Sequence, residues 1–249
     1  MDLNEIICTT TFRQGDPNNP IDKTRTEVFL DMAREMGSVS LSLITVYTET
    51  HDRVLDTIRR LGVIIVKQQS VSMGNIRREA LIAALSHFPR ARYLCWLEPE
   101  KPNLVQFIVP MARQMEQEQS VLGIFNRADM ASYPPEQAYY YLFCRAVATH
   151  LVGFDVDYAF GPMIVTRSAI PYFLKYQGEY GDKWDSIFVP RLRIIKDGLT
   201  VSVLPIYFQN DRRMTQVEVG NPTIILKRLE QLNIVIPSLI AEWQQLNAI

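Results

Sequence analysis

The first hundred residues alternate between short runs of β-forming residues and amphipathic segments with helical periodicity. The β-rich runs cover residues 5–12, 39–47, 63–68 and 93–97. The segments between them place apolar side chains at helical spacing, and they cover residues 22–36, 51–62 and 75–88. Strands that alternate with helices of this length form βαβ units with right-handed crossovers. We therefore predict an α/β protein with a doubly wound, mainly parallel sheet.

The rest of the chain continues the pattern less regularly. Further β-rich runs, separated by helical segments, cover residues 120–126, 160–166 and 200–208. Residues 217–249 predict an amphipathic helical tail that either packs as core or mediates self-association into a homo-oligomer. Since no repeat or Gly/Ser-rich linker divides the chain, we expect a single domain over residues 1–249 with an elaborated C-terminal half.

Composition excludes several classes of function. The 26 basic and 27 acidic residues give a net charge of -1, so the chain lacks the overall positive field that a nucleic-acid-binding protein uses. The three cysteines lie in apolar surroundings without C-x-x-C spacing, which favours buried thiols over a zinc site. No run reaches the roughly 20 apolar residues of a membrane span, and residues 1–10 lack the basic start of a signal peptide. These features predict a cytoplasmic protein.

Polar residues follow each of the first four predicted strands, in the stretches TTFRQGD, VYTET, KQQSVSMGNIRRE and WLEPEKP. Ligands of open parallel sheets bind outside the carboxyl ends of the strands. In the last stretch, Glu98 and Glu100 are two residues apart, so in an extended chain both project to the same side. Two such carboxylates suit a hard divalent cation. The alternative is a solvated turn in which they pair with Lys101 or nearby arginines.

The stretch SMGNIRREAL has the composition of an anion site. Ser72 and Gly74 precede a predicted helix whose first turn carries Arg77 and Arg78. Backbone amides at a helix start and bidentate guanidinium groups bind phosphates, so we predict a diphosphate here. Ordinary solvated arginines are the alternative. The stretch matches neither the dinucleotide-binding nor the P-loop glycine pattern.

In this order the parts resemble the GT-A glycosyltransferases of the nucleotide-diphospho-sugar transferase superfamily, over roughly residues 5–210. The resemblance implies a nucleotide-binding half over residues 1–102 and an acceptor and catalytic half over residues 103–216. It further implies that the sugar diphosphate lies near Arg77 and Arg78. The residues that would contact the base and ribose end the first two strands, and they are Thr10, Thr11, Phe12, Arg13 and Glu49.

The chain departs from the resemblance at the metal motif. The family's fourth strand ends in Asp-x-Asp, where this chain has Glu98-Pro99-Glu100. The resemblance implies Mg²⁺ or Mn²⁺ bound by the two glutamates. Because a glutamate is one methylene longer than an aspartate, the cation would sit differently or be absent. In the latter case Lys101 would neutralise phosphate directly as a point charge.

The resemblance also implies roles in the second half. Asp185 would act as catalytic base on the acceptor hydroxyl, Trp184 would stack on a sugar, and Arg212 and Arg213 would hold the leaving diphosphate. Each residue has a structural alternative: Asp185 or Asp182 caps a helix, Trp184 packs in the core, and the arginines lie in a solvated loop.

These observations predict a glycosyltransferase that moves a sugar from a nucleotide-diphosphate-sugar donor to a hydroxyl acceptor. Two alternatives stay open. A sugar-phosphate nucleotidyltransferase would share the architecture, but such enzymes carry a glycine-rich basic loop after the first strand, and TTFRQGDPNNP has one glycine. The altered acidic motif also leaves open a catalytically silent binding or scaffold protein of the same fold.

Overall fold

Seven strands form one sheet in the computed structural model, which describes residues 2–245. The strands are β1 (Ile6–Arg13), β2 (Ser42–Thr48), β3 (Ile64–Lys67), β4 (Tyr93–Trp96), β5 (Leu122–Arg127), β6 (Met163–Thr166) and β7 (Val201–Ile206). Each strand lies within one of the predicted β-rich runs or extends past it by a single residue. Short-range hydrophobic pattern was therefore sufficient to locate the strands.

Nine α-helices of four or more residues connect and cover the strands within residues 2–245. They are α1 (Pro20–Ser38), α2 (Asp52–Arg60), α3 (Met73–His87), α4 (Val105–Glu118), α5 (Pro135–Val152), α6 (Ile170–Leu174), α7 (Asp185–Lys196), α8 (Arg212–Glu218) and α9 (Pro222–Gln245). Asn19 accepts hydrogen bonds from two backbone amides at the start of α1, and Pro20 follows it at the first helical position. This pairing of cap and proline fixes the start of the helix directly after the β1 loop.

The sheet has the strand order β3-β2-β1-β4-β6-β5-β7. Neighbouring strands are parallel except at β6, which is antiparallel to both β4 and β5. The predicted α/β class with a mainly parallel sheet is confirmed. The direction of β6 lay beyond the sequence pattern, because the alternation of side chains is the same for either direction of a strand.

The middle of the sheet is buried on both faces. All four residues of β4 are buried, which explains the uninterrupted apolar run before Glu98. Helix α3 packs against β1 and β2, and α4 packs against β5 and β7. The carboxyl ends of β1, β2, β3 and β4 therefore meet at one edge, as the βαβ order predicts.

Helix α9 packs against α5 and α7. Its Val235 and Leu239 side chains are fully buried, whereas Leu226 and Leu229 are exposed. One face of the predicted tail is thus part of the core. Residues 246–249 of that tail lie outside the described part of the chain. None of the helices within residues 2–245 is long and apolar enough to cross a membrane.

Candidate active site

A cavity of about 450 Å³ opens at the carboxyl ends of the strands. Its wall includes Thr11 and Phe12 from β1, Thr48 from β2, and Gln68 and Glu98 from the turns after β3 and β4. A volume in this range accommodates a drug-sized or cofactor-sized ligand. The four polar strand ends of the sequence therefore contribute to one cavity.

The end of β1 forms one side of the cavity. Phe12 stacks on Phe29 with ring centroids 4.3 Å apart, and Arg13 forms an ion pair with Glu49 at 2.6 Å. Of the five residues predicted to contact the nucleoside, Thr11, Phe12 and Arg13 line the cavity. Thr10 does not line it, because its side chain is buried in the sheet and donates a hydrogen bond to the Leu97 carbonyl. Glu49 reaches the site only through Arg13.

The start of α3 binds an anion that belongs to the chain itself. Ser72 and Arg78 hydrogen-bond the carboxylate of Asp182, and the amide of Gly74 donates to the Asp182 carbonyl at 2.8 Å. A Cβ on Gly74 would lie 1.9 Å from Asp182 Oδ1, so the glycine is required for this close approach. Three of the four residues predicted to bind a diphosphate are therefore engaged by Asp182.

Of the four residues predicted to bind a diphosphate, Arg77 lines the cavity. Its guanidinium donates to the Lys183 carbonyl at 2.5 Å and to Ser186 Oγ at 2.9 Å, and it lies 5.9 Å from the centre of the Trp96 ring. Burial lowers the pKa of Arg77 to about 10, against the opposing effect of Glu98. The side chain remains a cation at neutral pH and is held in place by the loop before α7.

The turn after β4 presents Glu98 and Lys101 to the cavity. Lys101 Nζ lies 3.7 Å from Glu98 Oε2 and 3.4 Å from Asn210 Oδ1, and the rings of Tyr133 and Phe208 are within 6 Å of it. Burial on its own lowers the pKa of Lys101, but Tyr133 and Glu98 outweigh it and raise the pKa above its ordinary value. The ammonium is consequently a fixed positive charge.

Glu100 is paired with a helix-borne cation. Its Oε1 lies 2.9 Å from Nε of Arg25 in α1, and Arg25 is also 3.7 Å from Glu218 of α8. Burial raises the pKa of Glu100, but the positive charges of Arg25, Lys101 and Lys227 outweigh burial and lower it below its usual value. Glu100 is therefore an ionised carboxylate surrounded by cations.

The position of Glu98 is fixed by the segment before β6. Arg191 of α7 is fully buried and donates hydrogen bonds to the carbonyls of Phe160, Gly161 and Pro162. A Cβ on Gly161 would lie 2.5 Å from Glu98 Oε1. The buried guanidinium thus holds a glycine against the carboxylate, and no larger residue would leave Glu98 where it is.

Protein cations pair with the two carboxylates that were predicted to bind a divalent cation. Glu98 and Glu100 are each within ion-pair distance of a lysine or arginine, at 3.7 and 2.9 Å. Among residues 2–245, no group of three or more His, Cys, Asp or Glu side chains is arranged to hold a metal ion. A cation bound by these two carboxylates would therefore have to compete with Lys101 and Arg25 for their oxygens.

Of the residues predicted to act in the second half of the chain, some line the cavity and others lie outside it. Trp184 lines the cavity and is nearly buried. Asp185 is fully buried outside it and accepts hydrogen bonds from Tyr176 and from the amides of Asp182 and Lys183, at 2.6 to 3.1 Å. The Asp185 carboxylate thus holds the loop before α7 together, but it does not cap the helix, because α7 begins at Asp185 itself without a side-chain cap.

The two arginines after β7 also lie away from the cavity. Arg213 is paired with Asp31 and Asp211 at 2.7 and 2.8 Å, and Arg212 is exposed at the start of α8. Both line a separate surface depression beside Asn103. From this segment Asn210 and Met214 reach the cavity instead.

Three cations that helices contribute to the cavity were not predicted from the sequence: Arg25 of α1, and Lys227 and Arg228 of α9. Arg228 donates to Gln137 and Gln231, both at 2.6 Å, and lies 5.5 Å from the ring centres of Tyr140 and Tyr141. The sequence did carry one indication, since Lys227 and Arg228 are adjacent cations within an otherwise apolar stretch, IILKRL.

Comparison with solved structures identifies the fold. The chain superposes on glucosyl-3-phosphoglycerate synthase from Mycobacterium tuberculosis, in a complex with Mn²⁺, UDP-glucose and phosphoglyceric acid, with a TM-score of 0.64. The two are 11% identical, and the match covers 98% of this chain and 80% of the other. A chain described as a nucleotide-diphospho-sugar transferase from Desulfovibrio desulfuricans G20 matches over 94% and 98% of the two chains, with a TM-score of 0.52 and 10% identity.

A nucleotidyltransferase has a similar fold. CMP:2-keto-3-deoxy-manno-octonic acid synthetase, complexed with CTP, matches with a TM-score of 0.51 and 11% identity, over 92% of this chain and 98% of the other. No family model matches the sequence, and no curated protein matches it. The chain thus has the GT-A-like fold of the nucleotide-diphospho-sugar transferases, as its strand order and the position of its cavity indicate.

Proposed function

We propose that the protein is a glycosyltransferase that moves a sugar from a nucleotide-diphosphate donor to a hydroxyl acceptor. The observation that carries the proposal is that Arg77 and Lys101 face one cavity at the carboxyl ends of the parallel strands, with Phe12 on its wall. This is where open α/β sheets bind ligands. The structural neighbours that bind UDP-glucose and CTP support a nucleotide ligand.

The cavity offers a different environment to each part of such a donor. Thr11, Phe12 and Arg13 give the β1 side a mixture of apolar and polar groups suited to a nucleoside. Arg77 and Lys101 supply positive charge for the diphosphate. As the bond between sugar and phosphate breaks, negative charge grows on the departing diphosphate, and fixed cations stabilise it in the transition state. The chemistry that these residues support is therefore stabilisation of the leaving group.

The loop after β1 favours sugar transfer over nucleotidyl transfer. Its one glycine, Gly15, has φ +69°, and a Cβ there would lie 2.4 Å from Asp22 Oδ2. Asp16 is the one charged residue between β1 and α1, and its amide donates to the carboxylate of Asp22 in the first turn of α1 at 3.0 Å. The loop therefore lacks the glycine-rich, basic character of a nucleotidyltransferase loop, so we favour the glycosyltransferase.

Calorimetry with UDP-, GDP- and ADP-sugars, each with and without Mn²⁺, tests the proposal. We expect one of them to bind, and we expect the neutral variant Arg77→Met to weaken that binding by about tenfold or more. Arg90→Met is the matched control, because it makes the same change in net charge and Arg90 is exposed and lies outside the cavity. Its effect on affinity is expected to stay within about threefold.

Absence of heat with every nucleotide sugar, under both conditions, would overturn the proposal and favour the silent binding protein. Release of pyrophosphate from a sugar phosphate and a nucleoside triphosphate would instead establish the nucleotidyltransferase. Equal losses of affinity in the Arg77 and Arg90 variants would show that the loss does not depend on the cavity and would overturn the assignment of Arg77.

A further inference from the structure

Positive charge exceeds negative charge on the wall of the cavity. Three carboxylates line it, from Glu98, Glu100 and Glu218. Twice as many cations do so, and they are Arg13, Arg25, Arg77, Lys101, Lys227 and Arg228. Charges of like sign that are confined in a concave, partly desolvated site repel one another unless an anion neutralises them.

Lys227 is the cation that is left without a partner. Within residues 2–245, no carboxylate oxygen lies within 4 Å of its Nζ, and the ammonium donates no hydrogen bond. Burial and the adjacent charges of Arg25 and Arg228 lower the pKa of Lys227 to about 8. At neutral pH the ammonium is nevertheless protonated, so it is a positive charge available to a ligand.

Arg228, the next residue, is fixed on the same helix. Its two terminal nitrogens donate to Gln137 and Gln231, and its Nε is buried without a partner in the described part of the chain. The buried residues Val235 and Leu239 anchor α9 against the domain. The helix therefore presents one immobilised guanidinium and one unpaired ammonium to the cavity.

The cations that hold the Glu-Pro-Glu turn come from α1 and from the turn itself. Arg25 binds Glu100 at 2.9 Å, and Lys101 lies 3.7 Å from Glu98. The positive charges of Arg25, Lys101 and Lys227 together lower the pKa of Glu100, so all three act on the same carboxylate. A divalent cation would have to compete with them for its oxygens.

We propose that Lys227, with Arg25 and Lys101, forms a binding site for a diphosphate ester that needs no divalent metal. The inference rests on the proposed function, because it assigns these residues to the diphosphate of the donor. A diphosphate provides several charged oxygens, and each ammonium or guanidinium group can donate to one or two of them. The three side chains supply the positive charge that a metal ion supplies to a leaving diphosphate in other enzymes.

Calorimetry with inorganic pyrophosphate and with UDP, in excess EDTA and then in Mn²⁺, tests the site on the full chain. We expect both probes to bind in EDTA, and Mn²⁺ to change their affinity by less than about threefold. Lys227→Met keeps the length of the side chain but removes its charge, so it should weaken binding in EDTA by about tenfold or more. Lys227→Arg should retain binding.

Lys175→Met is the matched control, because Lys175 is exposed and lies outside the cavity. It makes the same change in net charge and should leave the affinity for pyrophosphate unaltered. Circular dichroism establishes that each variant is folded, and Lys227→Arg tests the site even if Lys227→Met is not folded.

The possible outcomes separate this inference from the proposed function. Binding that requires Mn²⁺ would overturn the metal-free site and leave the glycosyltransferase proposal standing. Binding in EDTA that is insensitive to Lys227→Met, or equally sensitive to Lys175→Met, would also overturn the site. No binding of either probe under any condition would overturn both proposals.

Discussion

Arg78 of α3 donates hydrogen bonds to both carboxylate oxygens of Asp182, at 2.8 and 2.9 Å. The side chains are only 14% and 16% exposed, so water does little to screen the pair. Ser72 and the Gly74 amide bind the same aspartate. Helix α3 is thereby joined to the loop that carries Trp184 into the cavity and whose Lys183 carbonyl accepts a hydrogen bond from Arg77.

Replacing Asp182 with asparagine should destabilise the protein by about 1–3 kcal/mol. The change leaves Arg78 without its counter-charge but keeps a residue type that tolerates the positive φ of +55° at this position. Urea unfolding measures the loss. The control is Asp56→Asn, whose partner Arg59 is solvent-exposed and whose loss should cost no more than about 0.5 kcal/mol. Equal losses would contradict the importance of the Asp182 contact.

Two glycine-to-alanine substitutions should change the stability of the protein in opposite directions. In Gly74→Ala the new methyl group would meet Asp182 Oδ1 at 1.9 Å, so the loop must move, at a cost of about 1–3 kcal/mol. In Gly37→Ala the methyl group meets nothing within 4 Å at the end of α1, and the less flexible unfolded chain should give a gain of up to about 1 kcal/mol. Thermal unfolding compares the two, and a stable Gly74→Ala protein would contradict the close approach.

Glu100→Gln should reduce stability in a pH-dependent way. Because the pKa of Glu100 is lowered in the folded state, its ionised form stabilises the fold above the unfolded pKa of about 4.3. That contribution is lost as the pH falls through the folded pKa. The wild type should therefore be more stable than the variant at pH 7, and the difference should shrink below about pH 4. Urea unfolding at several pH values provides the test, and a difference independent of pH would count against the ion pair with Arg25.

Local pattern was sufficient to predict the strands and the edge at which the cavity lies. Each strand has its own hydrophobic signature, and the βαβ order brings the carboxyl ends of successive strands together. Glu98 and Phe12 were located in this way, since each lies within two residues of a strand end, and Arg77 was located at the start of the helix that follows β3. Their common cavity follows from topology alone.

Contacts between distant segments could not be predicted in the same way. Asp182 lies more than a hundred residues after the arginine that it binds, and Lys227 reaches the cavity on a helix that follows all seven strands described. A helix start rich in serine, glycine and arginine attracts anions in general, and its sequence does not distinguish a phosphate from a carboxylate of the same chain. The identity of the anion depends on packing.

Lys227→Met should raise the stability of the ligand-free protein at pH 7. Folding places this ammonium in a partly desolvated site beside Arg25 and Arg228 and lowers its pKa from 10.5 to about 8. Between these values the unfolded chain binds a proton that the folded chain does not, so the wild type gains stability relative to the variant as the pH rises. Thermal unfolding should show a higher melting temperature for the variant than for the wild type at pH 7, by about 2–4 °C for each kcal/mol. At pH 10 this difference should be smaller. A variant less stable than the wild type at pH 7 would mean that Lys227 has a partner in the ligand-free protein and is not held ready for an anion.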